Sequence, residues 1–503
     1  MKRKIALLLS IVLVLSTIFA GCSKDNNKNT GNKGTNNGTT NGATATTTPD
    51  GKDNGTSGDK VVTLKWIAVG SGMPKNYDAW LAKINPYLEQ KIGVNIDMEV
   101  VSWGDWGNRR NIIVNSGEYF DILFTDGGNF TSDVALGAYY DMKDIIKTSA
   151  PDLYSYIPEN YWNAVSINGG VYGVPTYKDS SMSNYIVWDK AKADKYGVDY
   201  KNIHSLEGLT DPLKKITEGE GTPALPLDQN GLAMILSLYD GIGLGVPAIG
   251  VRYDDQNRKV VNVLEQEDVM SQLKTLHDWY KSGVINSDAP ATSESPSYKA
   301  VGIAQGWPSA AKTTWGPAMG VEAEAVQIND TIVSNETVRG SVNAIYSGSK
   351  YPEKCLEFLQ LVNLDPKVRD AFYYGVEGEN FKYTADGKVE KINTEWPMAG
   401  YTQGTFFTVS QLSTDTVNQW DEVKKLNENA KPSVLLGFNA DLSKIQNELA
   451  NCREVYNKYK SELLTGASDP EVTVPKITKE LKAGGLDTII TEVQSQIDAY
   501  YNK

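Results

Sequence analysis

The spacing of apolar residues between positions 62 and 124 constrains the fold of this chain more than any other feature. Short stretches with an apolar side chain at every second position predict strands, and longer stretches with apolar side chains three and four positions apart predict helices. The predicted elements are, in order, a strand over 62–69, a helix over 77–88, a strand over 94–100, a helix over 106–114 and a strand over 120–124. Strands that alternate with helices in this way form a parallel sheet covered by helices. The sequence therefore predicts an α/β fold.

The segments that follow the three predicted strands are the first candidates for a binding site, because parallel sheets bind ligands outside the carboxyl ends of their strands. All three segments are rich in glycine and in polar or aromatic side chains, which suits loops whose backbone approaches a ligand. Turn chemistry explains the glycines equally well, but it explains two tryptophans flanking an aspartate less easily. The candidates are Ser71, Lys75, Trp103, Asp105, Trp106, Asp126 and Asn129. For Asp126 the alternative is a cap on the helix predicted from about Thr131.

The N-terminus has the pattern of an export signal. Three cationic residues at positions 2–4 precede an apolar run over 5–15, which is too short to cross a bilayer, and small residues stand directly before Cys22. This pattern resembles the lipobox of bacterial lipoproteins. The resemblance implies removal of residues 1–21 and attachment of palmitate-type acyl chains to Cys22, which would hold the protein at the extracellular face of the cell membrane. The alternative is an ordinary secretory signal with a chance cysteine.

Residues 23–60 are predicted to form a flexible tether. Gly, Asn and Thr fill 24 of these 38 positions, and the segment contains no Val, Ile, Leu or aromatic residue. Such a segment cannot bury enough apolar surface to fold. As a random coil it would separate the anchor from the folded part by roughly 35 Å.

Composition excludes several classes of function. The formal net charge is −13 and no run of Lys or Arg stands out, whereas nucleic-acid binding requires a basic surface. His204 and His277 lie too far apart in sequence to form a local ligand pair, so neither a metal nor a cofactor is predicted. Cys355 and Cys452 lie on apolar helix faces and are interpreted as buried thiols, with a disulfide between them as the alternative.

Several segments, taken in their order along the chain, resemble the family 1 extracellular solute-binding proteins of ABC importers. They are residues 62–69, 119–123 with Asp126, 169–175, 184–190, and 354–359 with 365–366. The resemblance covers most of residues 61–390. Residues 430–503 are similar to the C-terminal region of a subgroup of these lipoproteins in low-GC Gram-positive bacteria.

The resemblance implies a two-lobed periplasmic-binding-protein-like fold of the maltose-binding-protein type, with hinge strands between the lobes and the ligand in the cleft. The expected N-terminal lobe comprises residues 61–180 and 332–395, and the expected C-terminal lobe comprises residues 181–331 and 396–503. The chain would cross between the lobes near 177–184, 332–341 and 390–405. Hinge closure around the ligand would signal occupancy to a membrane permease.

The resemblance also implies further site residues. Tyr177, Lys178 and Asp179 would lie at the first crossing, with hinge packing as their alternative role. Additional cleft candidates are Asp228, Asn230, Trp307, Trp315 and Trp396, and the alternative for the three tryptophans is the core of a lobe. The tryptophans expected in the core are Trp66, Trp80, Trp162, Trp188 and Trp279.

Aromatic residues make up 10% of the chain, and together with carboxylates and amides they suit a sugar ligand. The apolar face of a pyranose packs on an aromatic ring, while its hydroxyl groups require donors and acceptors. We expect a monomeric, non-enzymatic protein that binds an oligosaccharide, with a β-linked gluco-oligosaccharide favoured, and passes it to ABC permease subunits. The alternatives are a binding protein for another solute, a sensor component, and a surface glycoside hydrolase, for which no carboxylate pair or nucleophile motif stands out.

Overall fold

The computed structural model describes residues 61–502, so the predicted signal, Cys22 and the predicted tether lie outside the described residues. The first elements are β1 (Val62–Gly70), α1 (Tyr77–Ile92), β2 (Val94–Ser102), α2 (Trp103–Ser116), β3 (Ile122–Thr125), α3 (Phe130–Ala135), α4 (Ile146–Ser149), α5 (Pro151–Tyr156), α6 (Glu159–Ala164), β4 (Ser166–Ile167), β5 (Gly170–Val171), β6 (Val174–Pro175), β7 (Asn184–Asp189), α7 (Lys190–Lys195) and α8 (Leu206–Glu220). Within residues 61–502, no helix has the length and apolar character that a membrane crossing requires.

The remaining elements follow in chain order from residue 239 onward. They are β8 (Tyr239–Asp240), β9 (Ile249–Arg252), β10 (Val261–Asn262), α9 (Glu267–Lys281), β11 (Val301–Gln305), α10 (Gly316–Met319), β12 (Ala323–Gln327), β13 (Ile332–Val333), α11 (Asn335–Val338), β14 (Val342–Ile345), α12 (Pro352–Leu364), α13 (Pro366–Tyr374), β15 (Phe381–Tyr383), β16 (Val389–Lys391), α14 (Gln419–Asn429), β17 (Lys431–Pro432), α15 (Gln446–Leu464), α16 (Pro470–Gly484) and α17 (Leu486–Tyr501).

The first lobe is built on a five-stranded sheet with the strand order β2–β1–β3–β14–β6. β1 pairs in parallel with β2 and β3, as the sequence predicts, whereas β14 runs antiparallel to β3 and β6. The ring of Phe372 from α13 lies 5.6 Å from the ring of Trp66 and 4.9 Å from that of Trp80, measured between centroids. All three side chains are buried, so this aromatic cluster joins the helices to the sheet.

The second lobe has a separate hydrophobic core. Its sheet has the order β11–β7–β12, both neighbours run antiparallel to β7, and every residue of β7 is buried. The leucines of α8 and α9 and the apolar faces of α15, α16 and α17 share this core. Two cores on two sheets give the two-lobed α/β fold that the sequence predicts. The tryptophans expected in the core are all buried: Trp66, Trp80, Trp162, Trp188 and Trp279.

The sequence predicts a helix end near Gly93 and a hairpin turn at Asn168-Gly169-Gly170, and turn residues lie at both places. Gly93 closes α1 with a φ of +66°, a conformation that glycine adopts without a steric penalty. Asn168 and Gly169, with φ values of +52° and +85°, turn the hairpin between β4 and β5. Positive φ at both central residues is typical of the type I′ turn that suits the twist of paired strands.

The chain passes between the two sheets along short connections. β6 belongs to the first sheet and β7 to the second, and β12 belongs to the second sheet and β14 to the first. Beside these connections, β13 pairs in parallel with β17, and Met182 forms an antiparallel bridge with Ile332. Met398 packs in the first core, Phe407, Ala430 and Leu436 pack against it, and Leu435 packs in the second core. The expected third crossing near 390–405 stays a prediction.

Two expected helix boundaries are wrong, and the expected burial of two cysteines is confirmed. α2 begins at Trp103 rather than near residue 106, because the Ser102 side chain accepts a hydrogen bond from the Asp105 amide and caps the helix there. The apolar spacing also predicts a helix over 441–464, whereas α15 begins at Gln446, after a turn at residues 443–444. Cys355 and Cys452 are buried thiols in different cores and are not joined by a disulfide.

Candidate functional site

Two aromatic rings form an exposed platform on the first lobe. The ring planes of Trp103 and Tyr401 are 8° apart and their centroids are 6.2 Å apart. Trp103 is 47% exposed and Tyr401 41% exposed, although large aromatic side chains are usually mostly buried. Trp103 projects from the first turn of α2, at the carboxyl end of β2, with Phe124 of β3 edge-on beside it. We call Trp103 and Tyr401 the aromatic platform.

A charged pair from the predicted hinge lies beside the aromatic platform. The Lys178 ammonium group is 2.5 Å from an Asp179 carboxylate oxygen and 5.8 Å from the centroid of the Tyr401 ring. Burial, and then the charge of Asp179, raise the pKa of the Tyr401 hydroxyl. The sequence-predicted residues Lys178 and Asp179 therefore lie next to the platform, which brings four polar or aromatic side chains to one place.

Tyr177 is buried at the predicted hinge. It is 3% exposed, its φ is +33°, and its ring packs edge-on against those of Tyr156, Tyr161 and Phe407. Burial raises the pKa of its hydroxyl to about 12. This environment corresponds to the hinge-packing alternative that the sequence left open for Tyr177.

Aromatic rings continue from the hinge to the second lobe. Tyr373 of α13 packs edge-on against Phe406, and Phe406 stacks on Trp420 of α14 with centroids 4.2 Å apart. The ring of Trp420 lies 5.9 Å from that of Trp307, which follows β11. We call Trp307 and Trp420, both half-buried, the far wall. The predicted residue Trp315 lies nearby in the second lobe, against Tyr185.

Within the described part of the chain, three buried polar groups of the far wall and its surroundings have no hydrogen-bond partner. The Glu422 carboxylate accepts a hydrogen bond of 2.8 Å from the Ser309 amide. Among the described residues, the indole N–H of Trp307 and the hydroxyls of Ser309 and Tyr185 are buried without a hydrogen-bond partner. Burial, and then the charge of Glu422, raise the pKa of the Tyr185 hydroxyl. A buried polar group left without a partner costs about 1–3 kcal/mol, so this part of the molecule has an unused capacity for hydrogen bonding.

A cavity of about 370 Å³ opens beside Glu422. It lies between α14 and the segments around β11 and β12. Seven of its nine lining residues are polar or charged, and their aliphatic carbons form much of the wall: Pro308, Gln327, Asp330, Thr331, Glu422, Lys425, Leu426, Asn429 and Lys431. The ion pair between Lys431 and Asp330 forms one side of it.

Four candidates near the strand ends occupy other environments. Trp106 is 6% exposed and packs on Phe124, and Trp396 packs on Trp80 while its indole N–H bonds to a backbone carbonyl of α13. Both have the environment of core residues. The Asp126 carboxylate accepts hydrogen bonds from the Gly128 amide and the Asn129 side chain, so these two candidates stabilise their own turn.

The remaining candidates make different contacts. The Ser71 amide donates to the carbonyl of Pro397, which places Ser71 near the loop of Tyr401, and Lys75 is exposed. Asp105 is exposed in the first turn of α2. Asp228 and Asn230 form a turn that bonds to the segments at Thr292 and Leu464 of the second lobe. No described contact joins that turn to the platform or the far wall.

Sequence reasoning missed several residues of this region: Tyr401, Phe406, Trp420 and Glu422. Tyr401 and Phe406 lie in a loop-rich stretch without strand or helix periodicity, and only its aromatic content could have indicated them, whereas Trp420 and Glu422 lie in the first turn of α14. Within residues 61–502, no group of three or more His, Cys, Asp or Glu side chains is arranged to hold a metal ion. Among the described residues of this region, the groups available to a ligand are aromatic faces and hydrogen-bonding side chains.

Sequence comparisons match the chain to extracellular solute-binding proteins. The family model described as "Bacterial extracellular solute-binding protein" matches residues 82–375, which is more than half of the chain. A second model, for a domain of unknown function called DUF3502, matches residues 434–502. A protein from Streptococcus pneumoniae named "Carbohydrate ABC transporter substrate-binding protein" is 28% identical over 473 residues, covering 90% of this chain and 94% of that relative.

The structure is similar to solved structures of an N-glycan transport solute binding protein, NgtS, from Streptococcus pneumoniae. The sequence identity is 25%, and one crystal structure gives a TM-score of 0.79 over 88% of this chain and 99% of that one. The complexes of NgtS with Man1GlcNAc and Man5GlcNAc give TM-scores of 0.71 and 0.67, over 88% of this chain and 100% and 98% of theirs.

Proposed function

This chain belongs to the bacterial extracellular solute-binding protein family, and we propose that it captures an oligosaccharide between its two lobes. The observation that carries the proposal is the succession of aromatic rings from the platform, past the hinge, to the far wall. The succession begins with the rings of Trp103 and Tyr401, beside which the Lys178 ammonium group lies, and it ends with the rings of Trp420 and Trp307. A ligand that spans both lobes would meet a ring on each side.

The chemistry of this surface fits a sugar. The platform offers two exposed rings for the apolar face of a pyranose, and Lys178, Asp179 and Glu422 offer donors and acceptors for hydroxyl groups. The unpartnered groups of the far wall and its surroundings would gain partners from a hydroxylated ligand if closure brings them to it. A site with buried polar groups discriminates strongly against ligands that lack the matching hydroxyl.

The relatives narrow the choice of ligand. The curated relative is named for carbohydrate, and NgtS was solved with glycans of mannose and N-acetylglucosamine. We therefore propose mannose–GlcNAc oligosaccharides as candidate ligands in addition to the β-linked gluco-oligosaccharides that the sequence favours. A binding protein for a different solute, or a sensor component, remains the alternative.

Hinge closure would link binding to transport. A ligand that contacts both lobes favours the closed arrangement through its additional contacts. We propose that the closed form docks on an ABC permease, and that acylated Cys22 keeps the protein at the extracellular face of the same membrane.

Isothermal titration calorimetry against a panel of oligosaccharides tests this function. The panel comprises cello-, laminari-, xylo- and malto-oligosaccharides together with Man1GlcNAc and Man5GlcNAc. We expect saturable binding of at least one member, weakened in the Trp103→Ala variant and unchanged in Tyr351→Ala, which removes an exposed aromatic ring elsewhere in the first lobe. Absence of binding across the panel would contradict the proposal.

Product analysis separates this function from the glycoside hydrolase alternative. Each ligand that binds is incubated with the protein and analysed by chromatography for shorter sugars. We expect every oligosaccharide to be recovered intact. Release of monosaccharide that persists in highly purified protein would support the enzyme instead.

A further inference from the structure

The loop that carries Tyr401 is held from beneath by one buried arginine. The Arg369 side chain of α13 is 0% exposed, and its guanidinium group donates to three backbone carbonyls of residues 400–405. The N–H···O distances are 2.6 Å to Thr405, 2.5 Å to Gly400 and 3.2 Å to Gly404. Both ends of the loop are therefore bound to the same rigid group.

Two buried amide side chains hold the rest of the loop. Asn343 of β14 donates to the carbonyls of Thr402 and Gln403, at 3.0 and 3.4 Å. Asn363 of α12 accepts a hydrogen bond of 2.8 Å from the Thr405 amide. The loop forms one short 3-10 helix over Gly400–Thr402 and no strand, so these side chains take the place of a ladder of backbone hydrogen bonds.

Arg369 fulfils this role without a carboxylate partner. It forms no ion pair within the described residues, and its guanidinium group instead lies 5.3 Å from the centroid of the Tyr373 ring. Burial lowers the pKa of Arg369 to about 10, so the group stays charged at neutral pH. The backbone carbonyls of Gly400, Gly404 and Thr405 would lose this partner if an apolar side chain replaced Arg369. The buried charge of Arg369 therefore serves the order of this loop.

The loop also connects to the hinge. The Thr405 hydroxyl donates a hydrogen bond of 2.8 Å to the carbonyl of Tyr177. The next residue, Phe406, stacks on Trp420 of the far wall. The position of this loop thus fixes Tyr401 relative to Trp103 and relates both to the hinge.

We propose that Arg369 is a positioning residue for ligand binding. It holds residues 400–405 so that the Tyr401 ring is already parallel to Trp103 before a ligand arrives, and this preorganisation reduces the entropy lost on binding. The planar fork of arginine bonds several carbonyls at once, which the single ammonium group of lysine does not reproduce. The choice of an oligosaccharide as ligand rests on the proposed function, whereas the order of the loop is measurable without any ligand.

The first test is amide hydrogen exchange of the ligand-free protein, followed by mass spectrometry. We expect Arg369→Lys to accelerate exchange in residues 400–407, with no change in peptides of the second lobe. Arg110→Lys is the matched control, because Arg110 is also buried in the first lobe but pairs with Asp133 away from this loop. Unchanged exchange in residues 400–407 would overturn the proposal, whether or not a ligand is known.

The second test is a double-mutant cycle with the oligosaccharide that binds best. We expect Arg369→Lys to weaken binding about 10-fold in the native background and less than about 2-fold when Tyr401→Ala is also present, because coupled residues are not additive. An equal loss of affinity with and without the Tyr401→Ala substitution would mean that Arg369→Lys has a general structural effect, and it would overturn the proposal. If no panel sugar binds, the proposed function fails while the exchange experiment still decides the role of Arg369.

A second variant covers the case in which Arg369→Lys does not fold. Asn343→Ala removes the bonds to Thr402 and Gln403 and leaves Arg369 in place. We expect the same local acceleration of exchange, and a loss of affinity that again depends on Tyr401. Slow exchange in residues 400–407 of this variant would count against the proposal in the same way.

Discussion

The ring planes of Trp103 and Tyr401 lie 8° apart, although Trp103 starts the helix after the second strand and Tyr401 lies in a loop near the C-terminal third of the chain. Each ring is exposed over more than two fifths of its surface. The rings stack on each other, and an exposed face of either ring can pack against the apolar face of a sugar. This pair is therefore the first target for mutation.

Removal of either platform ring is expected to weaken oligosaccharide binding. Trp103→Ala and Tyr401→Ala each remove an apolar surface worth about 1.5–3 kcal/mol when it is fully covered, or roughly 10- to 100-fold in Kd. Calorimetry with the best sugar of the panel measures this change. The melting temperature should stay close to that of the native protein, since both rings are exposed, and unchanged affinity in both variants would place the site elsewhere.

Removal of the Trp420 ring from the far wall is expected to weaken binding by an amount that does not depend on the platform ring of Trp103. Trp420→Ala eliminates the ring that stacks on Phe406 and neighbours Trp307. Because platform and far wall do not contact each other directly, the free-energy losses of Trp103→Ala and Trp420→Ala should add to within about 0.5 kcal/mol. Affinities of the two single variants and the double variant test this. A ligand that loses affinity only with Trp103→Ala would be confined to the first lobe.

The pH dependence of stability should reflect the buried carboxyl group of Asp240. It accepts hydrogen bonds from Ser433 and the Ile242 amide, faces the charges of Glu336 and Arg339, and burial raises its pKa above the usual value. The folded protein therefore binds this proton more tightly than the unfolded chain. The stabilising contribution is complete below the ordinary aspartate pKa and is lost as the pH rises through the raised value.

Asp240→Asn removes this dependence and tests it directly. Melting temperatures measured between pH 4 and pH 8 should show the variant gaining relative to the native protein as the pH rises. Asp78→Asn, at an exposed position of α1, serves as the control and should follow the native curve. A difference between Asp240→Asn and the native protein that is constant across this range would contradict the expectation.

The two buried cysteines should be inert in the folded protein. Burial raises the pKa of the Cys452 thiol to about 11 and raises that of Cys355 further, so little reactive thiolate forms at neutral pH. In a Cys22→Ala protein, Ellman's reagent should detect no thiol in the native state and two after unfolding in guanidinium chloride. Detection of none after unfolding would reveal a disulfide.

The lipid anchor predicted from the sequence is tested by fractionation. Cys22→Ser should transfer the protein from the membrane fraction to the medium and abolish incorporation of labelled palmitate, because two acyl chains provide stable anchoring. Binding of the oligosaccharide to the released protein should remain unchanged, since the described lobes begin at residue 61. Retention of the Cys22→Ser variant in the membrane would contradict lipidation at this residue.

Local sequence signals predicted the architecture well. The alternation of spacings over 62–124 gave the parallel strands β1, β2 and β3, and the left-handed residues Asn168 and Gly169 marked the hairpin. These signals depend on neighbours a few positions apart, such as the glycine that ends a helix or the apolar residue that recurs along one face. The boundary of α2 was less accurate, because the cap at Ser102 is one side-chain hydrogen bond.

The site was only partly predictable, because its members come from distant parts of the chain. The sequence by itself determined the α/β order of elements, the buried tryptophans and the high aromatic content, and its family resemblance implied two lobes with a candidate hinge at Lys178 and Asp179. Only the tertiary structure decided which of those rings are exposed together. Trp106 turned into the core three positions after Trp103, and Tyr401 reached the platform from an aperiodic loop held by Arg369. Spacing along the chain reports which face of an element is apolar, whereas contacts between loops depend on how the lobes pack.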